Sequence, residues 1–412
     1  MITVEQARDA VLVRITRLPA VEADILDTLG RVLAADIISD VDIAPFDNSA
    51  MDGYAVQAAD VAAASEESPI VLDVVEHVAA GAFPTVAVGP GQATRIMTGA
   101  PMPEGADAVV MVECTEALEA GGGAGGTAAI KAPVKSGENV RLRAEDVRKG
   151  DVVLSAGEVV TPAAVGLMAA MGRARVSVYP RPRVAVVATG DELVGIGEYP
   201  GLGKIRNSNS YSLAAQVLAA GGEPHILPVA RDNEADTRAI LSRAPEFDLM
   251  VSTGGVSMGD FDVVKDVLLQ IGQMDFWKVA MRPGAPQTYG TIGGTPFFGL
   301  PGNPTSTTVG FELFVRPAIR MMAGFAALDR PTVQAVLAHD VKKKSDRRYF
   351  LRGRLTTSAD GYSVALSGPQ SSAMLTSMHR ANCLVSLAEG ESFFSAGSIV
   401  TCIRLDIEEG VQ

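Results

Sequence analysis

The residues with the clearest potential for chemistry form a glycine-rich turn in the second half of the chain. Residues 249–262 read Leu-Met-Val-Ser-Thr-Gly-Gly-Val-Ser-Met-Gly-Asp-Phe-Asp, the pattern of an apolar strand, a turn and acids at the start of a helix. Such a turn presents backbone N–H groups that bind an anion at a helix N-terminus. Asp260 and Asp262 would repel a phosphate unless a hard cation lay between them. The segment therefore predicts a phosphorylated ligand held with Mg²⁺. It matches neither a Walker A loop nor Gly-x-Gly-x-x-Gly.

Three other loops are expected at the same edge of a parallel sheet. They are Thr-Gly-Asp-Glu at 189–192, Arg-Asp-Asn at 231–233 and Leu-Pro-Gly-Asn-Pro-Thr-Ser at 300–306, and each follows a predicted strand. Because parallel strands end at one edge, Glu192, Asp232 and Asp262 are expected to lie close enough to share one Mg²⁺. The alternative for each acid is a helix N-cap or first-turn charge. With three acids assigned to the metal, Asp260 is expected to be such a cap.

Two cations are predicted on one face of a strand. Residues 276–282 read Phe-Trp-Lys-Val-Ala-Met-Arg, and Lys278 and Arg282 are an even number of residues apart. Side chains at even spacing face the same side of a strand, so this pair would suit an oxyanion. The alternative is a pair of solvated charges at a sheet edge.

The elements that must position these residues alternate regularly between residues 179 and 327. Apolar strands rich in Val and Ile alternate with helices, which predicts a doubly wound, mostly parallel α/β module that binds ligands beyond its strand C-termini. Strands are predicted at 183–188, 225–229, 249–252, 276–280, 288–292 and 296–300, and helices at 210–220, 234–243, 263–271 and 306–322.

The flanking sequence predicts three further parts. A capping box at Thr3 and Gln6 predicts a first helix over 3–18. Pro162 and Gly172 bound a second helix. Residues 1–44 and 138–178 are expected to form an N-terminal α+β domain, residues 45–137 a β-rich inserted domain, and residues 328–412 a small C-terminal β barrel, with the α/β module at 179–327.

Composition excludes several classes of protein. The 412 residues carry 48 acids against 35 Lys and Arg, a net charge of −13, which argues against nucleic-acid and anionic-membrane binding. The three cysteines and four histidines are scattered, so a disulfide framework, a zinc site and a serine triad are not expected. A reducing cytoplasm fits this cysteine usage, and neither a signal peptide nor a membrane span is expected.

Eight segments spread over essentially the whole sequence form a recognisable set. They occur at 47–54 (Asp-Asn-Ser-Ala-Met-Asp-Gly-Tyr), 95–100 (Arg-Ile-Met-Thr-Gly-Ala), 137–141 (Gly-Glu-Asn-Val-Arg), 188–193 (Ala-Thr-Gly-Asp-Glu-Leu), 252–262, 276–278 (Phe-Trp-Lys), 281–284 (Met-Arg-Pro-Gly) and 300–304. With these segments together, the chain resembles the MoeA family of molybdopterin molybdenumtransferases, which is related to the E domain of gephyrin.

The resemblance implies an activity and an assembly. Family members take adenylylated molybdopterin and molybdate, cleave the adenylate with the help of Mg²⁺, release AMP and leave molybdenum on the pterin dithiolene. They are elongated homodimers of four modules, with composite active sites between the α/β module of one subunit and the N-terminal half of the other. An upstream adenylyltransferase and molybdoenzyme acceptors are the protein partners that this role implies.

The resemblance also implies roles for individual residues. The acidic active-site residues and metal ligands are Glu192, Asp232 and Asp262, and the catalytic residues from the partner side are Asp52, Thr98 and Asp146. The groups that face the oxyanion are Lys278, Arg282, Arg352 and Ser372. The remaining residues that bind the pterin adenylate are Thr189, Gly190, Ser252, Gly254, Gly255, Ser257 and Gly259, with Pro301, Gly302, Asn303 and Pro304 as a rigid wall. Arg282 and Ala285 stand where many relatives have lysine.

Two rival functions stay open at this point. A molybdopterin adenylyltransferase would use a similar α/β module, but it would leave residues 1–180 and 328–412 without a role. A dimeric scaffold like the gephyrin E domain would need no chemistry at these loops. Molybdate is a dianion that Lys, Arg, hydroxyl and N–H donors suit, and no nucleophilic side chain is required, which favours the transferase.

Overall fold

The computed structural model describes residues 1–119, 124–254, 263–359 and 361–407. Two compact units divide the chain. The first contains Met1–Ala35, Gly157–Thr161 and the chain from Arg175 onward, and the second contains Asp36–Ala156 and Pro162–Ala174. Among the described residues, every helix is too short or too polar to cross a bilayer. The boundaries predicted for four domains stay a prediction.

The helices are short, and most lie in the first unit. They are α1 Val4–Leu12, α2 Pro162–Ala170, α3 Ser208–Ala219, α4 Glu234–Leu241, α5 Val263–Ile271, α6 Pro304–Gly310, α7 Arg316–Met322 and α8 Leu375–His379. One-turn 3₁₀ helices occur at Ile25–Thr28, Ala58–Val61, Val112–Cys114 and Ala244–Glu246.

Strands make up most of the remaining regular structure. Up to residue 178 they are β1 Val21–Asp24, β2 Ile37–Ile38, β3 Asn48–Ser49, β4 Gly53–Val56, β5 Ile70–Val78, β6 Gln92–Ile96, β7 Ala108–Met111, β8 Thr115–Ala117, β9 Gly126–Ile130, β10 Val140–Arg141, β11 Val152–Leu154 and β12 Arg175–Val178. The α/β module adds β13 Arg183–Ala188, β14 Leu193–Val194, β15 Ile205–Arg206, β16 Glu223–Ile226, β17 Leu249–Thr253, β18 Gly272–Lys278, β19 Met281–Arg282, β20 Pro286–Ile292 and β21 Thr295–Leu300. The C-terminal part has β22 Thr332–Leu337, β23 Val341–Lys342, β24 Arg348–Ser358, β25 Gly361–Leu366, β26 Cys383–Leu387, β27 Phe393–Phe394 and β28 Ile399–Arg404.

A six-stranded sheet in the order β16-β13-β17-β21-β20-β18 forms the centre of the first unit. Its first four strands run parallel, β20 pairs antiparallel with β21, and β18 pairs antiparallel with β20 and so runs in the direction of the first four. Val184 and Val186 pack into one core and Ala185 and Val187 into another, so both faces of β13 are buried. Burial on both faces is why these strands read as continuous apolar runs, and it confirms the doubly wound, mostly parallel module.

The C-terminal strands close into a small barrel. β24, β25, β22, β28 and β26 pair in succession, and β26 pairs back with β24. The barrel core contains Leu337, Leu351, Val385 and Cys402. The predicted β barrel is therefore confirmed. The strand β19 joins this sheet by parallel pairing with β24, although it follows the α/β strand β18 along the chain.

The second unit is built on a six-stranded sheet in the order β7-β4-β6-β5-β9-β8. Tyr54, Val74, Ala93 and Ile130 belong to the core of this sheet. This arrangement agrees with the β-rich character predicted for residues 45–137.

Several predicted boundaries were wrong. The first helix ends at Leu12, although the Thr3–Gln6 capping box forms as expected. The helix predicted at 306–322 begins at Pro304 and is interrupted by a π-helical turn at Phe311–Val315. The strand predicted at 276–280 covers Gly272–Lys278 instead.

Candidate active site

The four strands that precede the predicted loops are adjacent and parallel, so their C-terminal ends lie at one edge of the sheet. Thr189 forms a bridge to Ala230, and the Gly254 N–H donates to the Leu300 carbonyl at 3.1 Å. A pocket at this edge, here called the edge pocket, is lined by Thr189, Glu192, Asn207, Asn209, Thr253, Gly254, Gly302 and Pro304. It lies where open α/β sheets bind ligands.

Glycine is required where these loops approach one another. Gly254 has φ +92°, and a Cβ there would lie 2.8 Å from both the carbonyl oxygen and Oγ1 of Thr189. A Cβ at Gly302 would lie 3.5 Å from the Cα of Gly254. The backbones of the Gly254 and Pro301–Pro304 loops therefore approach closely beside the edge pocket.

A hydroxyl and amide cluster ties the loops together. The Asn209 side-chain N–H groups donate to Thr253 Oγ1 at 2.9 Å and to the Gly302 carbonyl at 2.8 Å. The hydroxyls of Thr253 and Thr307 lie 3.2 Å apart. Buried oxygens of Thr189, Asn209 and Ser252 have no hydrogen-bond partner within the described residues. Unpaired buried acceptors at a pocket edge are suited to a polar ligand.

Two of the predicted metal ligands lie on adjoining loops. A Cβ at Gly190 would lie 2.3 Å from a Glu192 carboxylate oxygen, so this carboxylate folds back over Gly190 beside the edge pocket. The Asp191 N–H donates to Asp232 Oδ2 at 3.1 Å, and the Asp232 N–H donates to Asp191 Oδ1 at 3.3 Å. In the described part of the chain, neither Glu192 nor Asp232 forms a salt bridge.

The third predicted metal ligand, Asp262, lies outside the described residues, as do Gly255, Ser257, Gly259 and Asp260. Within the described ranges, no group of three Asp, Glu, His or Cys side chains is placed to hold a metal ion. The shared Mg²⁺ site stays a prediction.

A larger cavity of about 990 Å³ lies between the α/β module and the barrel within the first unit. Its described lining carries five cationic side chains and one acid, Asp340, in a chain that is acidic overall. We call it the cationic pocket; besides Asp340 it is lined by Arg282, Pro301, Gly302, Asn303, Ser306, Lys342, Lys344, Ser345, Arg347, Tyr349, Arg352, Gln370 and Ser372. Gly302 lines both pockets, so they adjoin at this residue.

Arg352 is the buried cation of this pocket. It is 0% exposed, and its guanidinium donates only to neutral groups, namely the carbonyls of Pro369 at 3.1 Å and Ser371 at 2.9 Å and the Ser377 hydroxyl at 3.3 Å. Its Nη1 has no hydrogen-bond partner among the described residues. Burial lowers the pKa of Arg352 to about 10. A buried charge without a counter-ion is costly, so this site favours a bound anion.

Arg282 and Tyr349 meet in the same pocket. Arg282 Nη1 donates to the Tyr349 hydroxyl at 3.3 Å, and its guanidinium carbon lies 5.4 Å from the ring centroid. This contact exists because Met281–Arg282 pairs with Arg348–Tyr349. Ser372 reaches the pocket because its carbonyl accepts from the Thr305 N–H at 3.0 Å, at the start of α6.

The prediction that Lys278 and Arg282 share one strand face was wrong. Lys278 ends β18 opposite Pro286, whereas Arg282 lies on β19 in the barrel sheet. The chain turns between them because the Val279 N–H donates to the Ala285 carbonyl at 2.8 Å. Lys278 is exposed and is not among the lining residues of the cationic pocket. Its role toward an oxyanion stays a prediction.

Three candidate residues, Asp52, Thr98 and Asp146, lie in the second unit. Asp52 Oδ1 accepts from the N–H of Thr98 at 2.7 Å and from its hydroxyl at 2.8 Å. These hydrogen bonds hold the pKa of Asp52 below its ordinary value. Asp146 is exposed, and its N–H donates to the Ile43 carbonyl at 3.1 Å. Asp52 is therefore held as an oriented carboxylate.

Sequence reasoning missed Asn209 and Tyr349. Asn209 lies in Asn-Ser-Asn-Ser at 207–210, where the first Asn is the helix cap and the second resembles an ordinary first-turn residue. Tyr349 follows two arginines at the start of a strand, which is a common arrangement. The run Lys-Lys-Lys-Ser-Asp-Arg-Arg at 342–348 was the available signal, because such a basic cluster is unusual in an acidic chain.

Three family descriptions match successive parts of the chain. Residues 2–172 match the MoeA N-terminal region (domain I and II), residues 185–321 match the "Probable molybdopterin binding domain", and residues 334–405 match the MoeA C-terminal region (domain IV).

Named relatives extend over nearly the full length. A molybdopterin molybdenumtransferase of Staphylococcus aureus is 37% identical over 98% of this chain and 95% of that protein. The molybdopterin molybdenumtransferase 2 of Mycobacterium tuberculosis is 41% identical over 90% and 91%. A crystal structure of the molybdopterin biosynthesis MoeA protein of Pyrococcus horikoshii OT3 aligns with TM-score 0.78 and 30% identity over 98% and 99%. With identity at this level over almost the whole chain, the protein belongs to the MoeA family of molybdopterin molybdenumtransferases.

Proposed function

We propose that this protein is a transferase that inserts molybdenum from molybdate into adenylylated molybdopterin and releases AMP. The observation that carries the proposal is Arg352, a buried guanidinium with neutral partners and a free donor at Nη1 among the described residues. The molybdopterin molybdenumtransferases of Staphylococcus aureus and Mycobacterium tuberculosis support the activity, because they are similar to this chain over nearly its whole length.

The cationic pocket is the proposed site of molybdate. Molybdate is a tetrahedral dianion, so it needs several N–H or O–H donors and positive charge. Arg282 and Arg352 line the pocket with Ser372, and Lys344 and Arg347 add further positive charge to its lining. Charge-assisted hydrogen bonds in a desolvated site are the strong ones, which favours Arg352 as the principal ligand.

The edge pocket is the proposed site of the adenylate. Its unpaired acceptors on Thr189 and Asn209 suit hydroxyl and amino groups of a nucleotide or pterin. Because Gly302 lines both pockets, we place the phosphoanhydride near the Pro301–Pro304 loop, between the two ligands. Positioning and electrostatic stabilisation would then supply most of the rate, without a nucleophilic side chain.

We further propose that Mg²⁺ is held by Glu192, Asp232 and Asp262. Oxygen donors are what Mg²⁺ prefers, and the two described carboxylates lie on adjoining loops without a basic partner among the described residues. When bound, Mg²⁺ would neutralise charge on the anhydride. Asp232 also orients its loop through Asp191, so the protein itself fixes this ligand.

We propose a cytoplasmic homodimer in which Asp52, Thr98 and Asp146 are contributed by the partner. The family resemblance motivates this assembly, and the fixed Asp52 carboxylate is suited to a site residue. Sedimentation of the purified protein at micromolar concentration should give a dimer. A monomer at that concentration would rule out shared sites.

Reconstitution tests the proposed activity. Purified protein is incubated with adenylylated molybdopterin, molybdate and Mg²⁺, and both AMP release and pterin-bound molybdenum are measured. Molybdate-dependent appearance of both products is expected. Rapid formation of the pterin adenylate from molybdopterin and Mg-ATP without molybdate would instead indicate an adenylyltransferase. A protein that is dimeric but inactive in both assays would indicate a scaffold.

A further inference from the structure

The hydroxyl of Tyr349 is held in the cationic pocket by an unusual set of neighbours. It accepts from the Lys344 N–H at 3.0 Å and from Arg282 Nη1 at 3.3 Å, and it lies 3.2 Å from Ser345 Oγ. The side chain is buried, with only 5% of the residue exposed. Tyr349 therefore has a fixed position on the pocket wall.

The arrangement leaves the phenolic proton available. The Lys344 N–H and the Arg282 guanidinium can only donate, so both occupy acceptor positions of the phenol oxygen. Among the hydrogen bonds of the described residues, none joins this hydroxyl to a carboxylate or to a carbonyl oxygen. The proton can be given to Ser345 Oγ or to a ligand in the pocket, and a dianionic ligand is the stronger acceptor.

Molybdenum insertion has a proton requirement that suits such a group. Molybdate and a dithiol give a trioxomolybdenum dithiolate and one water: two Mo–S bonds form, one Mo–O bond breaks, and molybdenum keeps its oxidation state. Two protons must reach the departing oxygen, because an oxide ion is too basic to leave unprotonated. The two thiols supply two protons overall, but they must be carried to the oxygen.

We propose that Tyr349 is the proton donor to the departing oxygen of molybdate, an inference that rests on the proposed function. Its phenol gives one proton to that oxygen, and the resulting tyrosinate takes a proton from one thiol. The second thiol proton completes the water. The tyrosinate formed in between is stabilised by the Arg282 guanidinium, by the Lys344 N–H and by Lys343, whose Nζ lies 5.4 Å from the ring centroid.

The electrostatics of the site support this role. Burial alone would raise the pKa of Tyr349, but hydrogen bonds with Ser345, the Lys344 N–H and Arg282 outweigh it and lower the pKa below its ordinary value. A phenol of lowered pKa is a better acid near neutral pH. Activity that needs this proton should be lost as pH rises through the lowered pKa, because the phenol is then already ionised.

The test is Tyr349→Phe, which keeps the ring and removes only the hydroxyl. We expect the rate of molybdenum transfer to fall by about 100-fold, the lower end of general-acid contributions. Molybdate affinity, measured by calorimetry on the same protein, should change by less than about threefold because Arg352 is untouched. Tyr362→Phe is the matched control, since Tyr362 lies in the same barrel outside the pocket lining, and it should transfer molybdenum at the wild-type rate.

The pH profile separates proton donation from a structural role. Wild-type transfer should decline at high pH below the ordinary range of tyrosine, and Tyr349→Phe should lack this decline while staying slow. A variant that is slow but keeps the wild-type profile would overturn proton donation. Proton donation by Tyr349 would also be overturned if Ser345→Ala were as slow as Tyr349→Phe, because Ser345 would then be the donor.

The transfer rates of wild-type protein and Tyr349→Phe separate a wrong assignment of Tyr349 from a wrong assignment of the function. If wild-type protein transfers no molybdenum, the proposed function fails. If wild-type protein and Tyr349→Phe transfer molybdenum equally fast, the function stands and Tyr349 is not the donor.

Discussion

Replacing Arg352 with methionine should strongly weaken oxyanion binding while leaving the fold nearly as stable as before. Methionine has a similar length and no charge, so the change deletes a guanidinium that is 0% exposed and bound only to neutral groups. The buried cation, not the shape of the pocket, is what the substitution removes.

The structure gives the size of the effect on binding. Burial lowers the pKa of Arg352 from its ordinary value to about 10, a difference that corresponds to about 3 kcal/mol of free energy against the charged form. A bound dianion compensates the charge and recovers this free energy. The wild-type protein should therefore bind molybdate on the order of 100-fold more tightly than Arg352→Met at neutral pH.

The effect on the unliganded protein is small because two contributions oppose each other. Methionine relieves the charge penalty of about 3 kcal/mol. It also leaves the carbonyls of Pro369 and Ser371 and the Ser377 hydroxyl without this donor, at about 1 kcal/mol each. We expect the free energy of unfolding to change by no more than about 1 kcal/mol.

Calorimetric titration with sodium molybdate at pH 7 measures the affinity, and urea unfolding measures the stability. Arg354→Met is the matched control, because Arg354 lies on the same strand β24 but is exposed and outside the pocket lining. The control should bind molybdate like the wild type. If Arg352→Met binds molybdate within about threefold of the wild type while remaining folded, the reasoning from the buried charge is refuted.

Three further substitutions test the loops and the second unit. Gly254→Ala should lower the free energy of unfolding, measured in urea, by about 2 kcal/mol. The new Cβ would lie 2.8 Å from two Thr189 oxygens, on a backbone with φ +92°. Gly201→Ala is the control, because a Cβ there meets open space, and it should change the free energy of unfolding by less than about 0.5 kcal/mol. Asn209→Ala removes the donors to Thr253 Oγ1 and the Gly302 carbonyl, and calorimetry should show AMP binding about tenfold weaker; unchanged affinity would exclude Asn209 from the site. Thr98→Val removes one of the two hydrogen bonds that lower the pKa of Asp52, so that pKa should rise toward its ordinary value in a carbon-13 NMR titration. The pKa of Asp52 is lowered only in the folded state, so this contact stabilises the fold above the ordinary pKa of an aspartate. That stabilisation is lost as pH falls through the lowered pKa of Asp52. Thr98→Val should therefore weaken the dependence of stability on pH.

The central fold could be predicted because its signals are local. The strand Arg183–Ala188 and the helix Val263–Ile271 occur at the predicted residues. Each is a run whose apolar pattern matches one type of secondary structure and whose ends are marked by turn residues. The convergence of loops after parallel strands follows from the same pattern, since it depends only on topology.

The cationic pocket could not be predicted in the same way, because it depends on contacts between distant residues. Arg282 contacts Tyr349, which lies 67 residues later in the sequence. The separation of Lys278 from Arg282 is set by the Val279 N–H, which donates to Ala285, and by a bridge between Val279 and Ile2. Nothing in the alternation of residues 276–282 reveals such a turn. Burial of Arg352 likewise follows from loop 369–371 and Ser377, which enclose its guanidinium.

The pairing of β19 with β24 has a consequence for how ligands enter and leave. Met281–Arg282 belongs to the chain of the α/β module but is hydrogen-bonded into the barrel sheet, and the Thr305 N–H holds the Ser372 carbonyl nearby. Opposite walls of the cationic pocket are thus joined by backbone hydrogen bonds, and widening it by a hinge would require breaking them. The exposed Lys342 and Lys344 side chains of the lining keep their rotational freedom, and such side chains change rotamer in picoseconds to nanoseconds. Side-chain rotation of this kind is far faster than a chemical step, so we expect that rearrangement of the pocket lining does not limit turnover.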